Sequence, residues 1–298
     1  METPLDFATH YREMEVYLYP LEAAKNGAGG NGSAANAAAK GGNVSAEGWM
    51  DLSVSRYRLG HESYSRKFWD EIKGNFKTPV SVKVNTIAGH ERDVRLSSAQ
   101  AWNHFYHPFV GKGSPEQVQV AIQLLYRFKK TVFTPSEFVS KGFIGLDCNG
   151  FVGNFIQRVV MGQDWLTQNN DKDPGPTTYM SDLLDRQGRA NQVKDADGLE
   201  LDEVYLLGMC RPDGSIIDPS KGAYGHIMIT EPGTLERNPT NTTFQVVESC
   251  GSCGLTDNSY KVVQVDKAAY GTVFYCHRSF ASKPIAVRIA RLKDWVGD

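Results

Sequence analysis

The sequence lacks three features that would assign the chain to a broad class at once. No apolar run approaches the length needed to cross a bilayer, so we expect no membrane span. The formal net charge is only −2 over 298 residues, which argues against nucleic acid as a partner. Residues 1–7 lack a basic segment followed by an apolar core, so we expect no signal peptide. The protein is then either cytoplasmic or exported by a signal-independent route.

Cysteine is scarce, and its count is odd. The chain contains Cys148, Cys210, Cys250, Cys253 and Cys276. At least one thiol therefore stays unpaired even if two disulfides form. Cys250 and Cys253 form a CxxC without a second CxxC or a nearby pair of histidines, which is a poor zinc site. An ordinary thiol pair, a local disulfide and a redox pair remain open for it.

Histidine spacing offers one further metal candidate, which is weak. His104 and His107 lie three residues apart in a segment predicted to be helical, but no clear third ligand follows them. We therefore predict neither a metal nor a cofactor.

Composition divides the chain into four segments. Residues 1–22 contain apolar residues at helical spacing from Phe7 to Leu21, which predicts an N-terminal helix. Residues 23–47 are rich in Ala, Gly and Asn and are typical of a flexible linker. The helix is then either a tether for a protein partner or a terminus that docks on its own domain. The aromatic-rich region 48–110 is an accessory domain or an elaboration of the domain that follows, which we assign to 111–298.

Helical patterns dominate the first part of the chain, and strand patterns dominate the last part. We predict helices over 62–76, 97–107, 114–131 and 179–187, and a strand pair near 80–84 and 94–96. Beyond residue 200 the predicted strands are 204–209, 226–230, 244–248, 260–265, 272–277 and 285–291. Helices followed by a meandering antiparallel sheet indicate an α+β fold.

Residues 145–155 carry the strongest functional signal. Gly145 and Asp147 are suited to the start of a helix, and the apolar residues that follow have helical spacing. Cys148 would occupy the first helical position, where the partial positive charge of the helix N-terminus favours a thiolate. Nucleophilic cysteine enzymes use this environment. The competing interpretation is a buried cysteine that only packs.

A base and an orienting carboxylate can be chosen from the strands. His226 opens an apolar strand directly after a glycine, and alternation puts Met228 on its face. Glu248 ends the next strand candidate on the same face as its apolar residues, where a buried carboxylate needs a partner. If the two strands pair, Glu248 can orient the imidazole as the third member of a triad does. The competing interpretations are a core histidine and a strand-end charge that faces water.

These motifs, in this order, resemble a known family. The segment Asp-Cys148-Asn-Gly-Phe-Val is similar to the Asp-Cys-Ser-Gly-Phe-Val signature of the NlpC-type peptidoglycan peptidases, and Gly-His226-Ile-Met-Ile to their histidine strand. Glu248 lies where that family carries its third polar residue, and the related CHAP amidases more often use Glu there. The resemblance spans roughly residue 114 to the C-terminus. Asn149 in place of Ser, Met228 in place of a small residue and a long insertion after the cysteine helix are departures.

The resemblance implies a papain-like core in which an N-terminal nucleophile helix packs on an antiparallel sheet. It also implies a cysteine peptidase or amidase that acts on cell-wall peptides through Cys148, His226 and Glu248. The residues alone leave other functions open, namely a cytosolic amidase or thioesterase, or a secreted antibacterial effector of the same fold. A further alternative is an inactive binding or structural module whose working surface is the aromatic N-terminal half.

Overall fold

A computed structural model describes residues 1–19, 47–57, 62–128, 133–167, 175–217, 225–238 and 241–294. The predicted linker 23–47 lies outside these residues except for Glu47. The described helices are α1 (Pro4–Arg12), α2 (Glu62–Ile72), α3 (Ser98–Phe109), α4 (Pro115–Phe128), α5 (Pro135–Ser140), α6 (Cys148–Phe155) and α7 (Met180–Asp185). None of them is long and apolar enough to span a membrane.

The strands form two small sheets and one barrel. Strands β1 (Met14–Leu18) and β2 (Gly48–Leu52) form one antiparallel pair, and β3 (Val80–Asn85) and β4 (Glu91–Leu96) form another. The C-terminal half contains β5 (Tyr205–Met209), β6 (Ile227–Thr230), β7 (Glu236–Asn238), β8 (Asn241–Cys250), β9 (Gly254–Ala268), β10 (Gly271–Arg278) and β11 (Ile285–Arg291). Their order is β6-β5-β11-β10-β9-β8, and β8 pairs back to β6. This pairing closes a six-stranded antiparallel barrel, with β7 on the edge of β8.

Strand alternation divides the barrel into an inner and an outer face. Met228 and Val246 belong to the apolar cluster that fills the barrel. Their neighbours Ile227, Ile229 and Val247 belong to the main core instead, together with α6. Since successive side chains of a strand point to opposite faces, one pair of strands serves both cores. The mixed α+β class is therefore confirmed, and α6 packs against β6 and β8.

The N-terminal segment departs from the sequence prediction. We expected one helix over Phe7–Leu21, but the helix ends at Arg12 and is followed directly by strand β1. After residue 13 the apolar residues also fit a strand, because Met14, Val16 and Leu18 alternate along the chain and are buried there. Phe7 packs edge-on against Phe155, and Leu5 N–H donates to the Glu231 carboxylate. Helix α1 thus docks on the protein's own core.

The edge of β3 is completed by side chains of a helix instead of another strand. Gln123 of α4 accepts from Lys83 N–H and donates to the Lys83 carbonyl, and Gln119 does the same at Asn85. The two glutamines are four residues apart on one helix face, so they match alternate residues of the strand. A sheet edge satisfied in this way cannot pair with another chain. These hydrogen bonds hold helix α4 against strand β3.

Candidate active site

Helix α6 begins where the motif predicted it. The Asp147 side chain accepts from Gly150 N–H at 2.5 Å, and the Cys148 residue occupies the first helical position. Cys148 is 9% exposed, and it lies in the core face shared with Phe151 and Val152. A thiol in the first turn experiences the unpaired N–H groups of the helix end. The local environment is therefore suited to a sulfur anion.

The glycine of the motif has a packing reason. A Cβ at Gly150 would collide with the carbonyl oxygen of Gly111, which also accepts from Asp147 N–H at 3.0 Å. The backbone of residue 111 therefore lies directly against the first turn of α6. Asn149, which departs from the serine of the resembled motif, donates its amide to the Thr178 carbonyl at 3.0 Å. Both contacts hold the first turn of α6 against the surrounding backbone.

His226 and Glu248 meet at one rim of the barrel. Glu248 lies near the C-terminal end of β8, and His226 directly precedes β6, to which β8 is paired. The His226 Nε2 to Glu248 Oε2 distance is 2.6 Å, and both side chains are essentially inaccessible. Ser249, next along β8, donates its hydroxyl to the Leu146 carbonyl at 2.6 Å. The strand that carries Glu248 is thereby tied to the loop that delivers Cys148.

The three predicted side chains interact in series, Cys148 with His226 and His226 with Glu248. Burial lowers the pKa of His226, but hydrogen bonds to Cys148 and Glu248 outweigh this and raise it to about 9. Since Nε2 contacts Glu248, Nδ1 is the nitrogen that can serve the thiol. At neutral pH the imidazole is therefore held in its cationic form between two groups that can carry negative charge.

Glu248 keeps its charge despite complete burial. Desolvation alone would raise its pKa, but hydrogen bonds from His226, Tyr260 and Asn258 lower it below the ordinary value. The Tyr260 hydroxyl and the Asn258 amide both donate to Oε1, at 2.9 Å and 2.8 Å. Arg278 Nη1 is 3.9 Å from Oε2. Glu248 is thus a buried, hydrogen-bonded carboxylate and not a strand-end charge that faces water.

A second ion pair joins Lys112 to Asp147, the residue that caps α6 directly before Cys148. Lys112 Nζ lies 2.7 Å from one oxygen of Asp147 and 2.9 Å from the other. Burial raises the pKa of Asp147, and the ammonium of Lys112 opposes that rise. Without this cation, a second buried carboxylate would compete with Cys148 for the positive charge of His226. Lys112 therefore neutralises the capping group beside the thiol.

Among the residues that the structure describes, we next consider the other cysteines and histidines. Cys250 and Cys253 are joined by a disulfide at the turn between β8 and β9, and Cys210 and Cys276 are free and buried. Within the described ranges, no group of three or more His, Cys, Asp or Glu side chains could hold a metal ion. His104 Nδ1 contacts the Gln117 amide instead, and burial lowers the pKa of this histidine to about 4.

Several residues of the site had no signal in the sequence. Asn258 and Tyr260 follow Glu248 by 10 and 12 residues and reach it through the pairing of β8 with β9, and Lys112 reaches Asp147 from 35 residues earlier in the chain. Tyr260 shares the inward face of a predicted strand, but a tyrosine in such a position is ordinarily a core residue. Comparisons of this chain with protein-family models, curated proteins and solved structures find no match.

Proposed function

We propose that the protein is a cysteine-dependent hydrolase of amide bonds with a papain-like arrangement of its core. The observation that supports this proposal is the buried series of interactions from Glu248 through His226 to Cys148 at the start of α6. A core histidine needs one hydrogen-bond partner, whereas this one lies between a carboxylate and a thiol. That arrangement is the one that nucleophile, base and orienting group require.

The reaction follows from the position of the protons. The Cys148 thiolate attacks the amide carbonyl, and the imidazolium of His226 donates its Nδ1 proton to the leaving amine as the C–N bond breaks. The product is a thioester on Cys148. Neutral His226 then removes a proton from water, which attacks the thioester and releases a carboxylic acid, so that the Cys148 thiolate and the His226 imidazolium are restored. Glu248 holds the ring and stabilises its charge in both steps.

The start of α6 offers a donor to the negative oxygen that forms on the carbonyl. The Cys148 N–H belongs to the first helical residue and has no helical carbonyl to bind. An N–H group at this position next to the nucleophile is a candidate oxyanion donor. The same feature would serve a thioester substrate, so an amidase or thioesterase of the same fold, acting in the cytosol or as a secreted antibacterial effector, is the nearest alternative.

The substrate class rests on the resemblance of the cysteine and histidine motifs to the NlpC-type and CHAP enzymes. On that basis we propose peptide stems of peptidoglycan as the substrate. The test is incubation of the purified protein with peptidoglycan fragments, followed by mass spectrometry of the products. Cleavage by the wild type, lost in Cys148→Ala and retained in Cys210→Ala as a matched free-cysteine control, would support the proposal.

The inactive module makes the opposite prediction. If the protein only binds, the wild type and Cys148→Ala would both leave peptide, amide and thioester probes intact while binding fragments equally. Release of the same product by both proteins would also contradict the assignment of the nucleophile.

A further inference from the structure

The Glu248 carboxylate has more partners than orientation of an imidazole requires. Oε2 faces His226 at 2.6 Å, and Oε1 accepts from both Asn258 and Tyr260. The two donors come from β9, the strand that pairs with β8 along its whole length. Glu248 is therefore held by groups on a neighbouring strand as well as by the histidine it orients.

These donors remove the rotational freedom of the carboxylate. With two donors on Oε1, a rotation that exchanged the oxygens would break three hydrogen bonds at once. The position of Oε2, and hence of the His226 ring, is then set by β9. A fully satisfied buried network of this kind specifies one geometry, whereas a partly satisfied one does not.

Tyr260 is the central member of this network. It lies opposite Arg278 of β10 in the strand register, and its hydroxyl reaches Glu248 and approaches the Met228 sulfur at 3.1 Å. The Arg278 side chain is 20% exposed, and its guanidinium also lies over the Phe280 ring. The network thus extends from a partly exposed cation on β10 through Tyr260 to the buried carboxylate.

We propose that Tyr260 is a positioning residue of the candidate triad, whose hydroxyl fixes Glu248 and through it the His226 imidazole. This inference rests on the proposed function, since a positioning role has meaning only if Cys148 is activated. The ring of Tyr260 has a separate task, because it stacks on Phe244 at a centroid distance of 6.3 Å inside the barrel. The hydroxyl and the ring can be separated by one conservative substitution.

The expected pH effect has a defined sign. The titratable or charged groups that face Glu248 are the His226 imidazole, the neutral Tyr260 hydroxyl and the Arg278 guanidinium, and Cys148 and Asp147 with Lys112 act on it through His226. Hydrogen bonds lower the pKa of Glu248, so its charge is present above that pKa and is lost as the pH falls through it. Removal of the Tyr260 hydroxyl raises this pKa. The acid limb of Cys148 reactivity therefore moves to higher pH.

The experiment compares Tyr260→Phe with Tyr205→Phe. Tyr205 is also a buried barrel tyrosine, but its hydroxyl accepts from the Glu200 N–H. The readout is the rate at which iodoacetamide alkylates Cys148, resolved by mass spectrometry from pH 4 to 10. We expect Tyr260→Phe to react about tenfold more slowly at neutral pH, the effect of losing one hydrogen bond to a charged group. Its acid limb should move upward, and Tyr205→Phe should match the wild type.

Two further variants keep the test decisive. Asn258→Ala removes the other donor from a partly exposed position and should shift the acid limb in the same direction if Tyr260→Phe fails to fold. In a Glu248→Gln background, the additional loss from Tyr260→Phe should be smaller than its loss in the wild type, because the charge through which the hydroxyl acts is gone.

Each outcome separates the inference from the proposed function. A reactive wild-type Cys148 with an unshifted, equally fast Tyr260→Phe variant would overturn the positioning role alone. Equal losses in the Tyr260 and Tyr205 variants, or additive losses in the Glu248→Gln background, would show a general packing effect and overturn it as well. A wild-type Cys148 that reacts no faster than the buried thiols would overturn the proposed function, and this inference with it.

Discussion

Replacement of Glu248 by glutamine tests the proton arrangement at the barrel rim. In the wild type, Oε1 accepts from Asn258 and Tyr260, and Oε2 lies 2.6 Å from His226 Nε2. In Glu248→Gln the two donors hold the amide oxygen, so the amide NH₂ points at Nε2. A donor there forces the imidazole to carry its proton on Nδ1 in the neutral form, which is the wrong tautomer to accept the proton of Cys148.

The size of the effect follows from the lost charge. One hydrogen bond to a charged group is worth about 1.5–3 kcal/mol, which corresponds to a loss of roughly 10- to 150-fold in turnover. The comparable loss in a serine-protease triad reaches about 10⁴-fold. In the proposed mechanism the thiolate attacks beside a protonated histidine and depends less on the third residue, so we expect the smaller loss. His226→Ala should cost more than Glu248→Gln, because it removes the proton donor itself.

The pH profile supplies the second readout of the same variant. The wild-type pKa of His226 is raised to about 9, so the imidazolium that must protonate the leaving amine is present below that pH and is lost above it. The basic limb of kcat/KM should therefore lie near pH 9 and move to lower pH in Glu248→Gln, since burial then acts with less opposition. Glu203→Gln, which breaks a barrel ion pair with Arg291, is the matched control. An unchanged rate and an unchanged basic limb in Glu248→Gln would refute this reasoning.

Two further predictions concern the surroundings of the site. Lys112→Met leaves the Asp147 carboxylate without its cation and should lower the free energy of unfolding by about 2 kcal/mol, less than for a completely buried pair. Adding Asp147→Asn should recover part of this loss in chemical denaturation, and strictly additive losses would contradict the pairing. Mutation of both Cys250 and Cys253 to Ser opens a loop of four residues, so chain entropy predicts a loss of about 2 kcal/mol in the free energy of unfolding. An unchanged denaturation midpoint would show that the disulfide does not stabilise the turn.

The sequence patterns were sufficient for elements that repeat a clear period. The period of 3.6 predicted the cysteine helix, and the structure has α6 there. The period of 2 predicted the strand that follows His226 and the inward face of Met228, and the structure has β6 there with Met228 inside the barrel. The N-terminal helix was predicted too long, because Met14 fits the helical period with Tyr11 and Tyr17 and also the strand period with Val16 and Leu18, and only the pairing with β2 decides between them. Local spacing carries no information on such long-range pairing.

Closure of the barrel and the partners of Glu248 could not be predicted for the same reason. The β6–β8 pairing joins strands that are separated by a turn and by β7, and alternation alone does not specify the neighbour of a strand. Tyr260 reaches Glu248 from the neighbouring strand β9, and Lys112 reaches Asp147 from the turn between α3 and α4. Such contacts follow from tertiary packing, which a single sequence specifies only through the whole fold.

The most direct test of the central claim is the relative reactivity of the three free thiols in the folded wild type. Cys148, Cys210 and Cys276 are all buried, so exposure alone predicts slow and similar alkylation. Burial raises the pKa of Cys210 to about 11 and that of Cys276 to about 12, which keeps both as unreactive thiols. With iodoacetamide at pH 7, we predict that Cys148 is alkylated at least about 100-fold faster than either, and that His226→Ala abolishes the difference. Equal rates at the three cysteines, or a Cys148 rate unchanged in His226→Ala, would contradict the account.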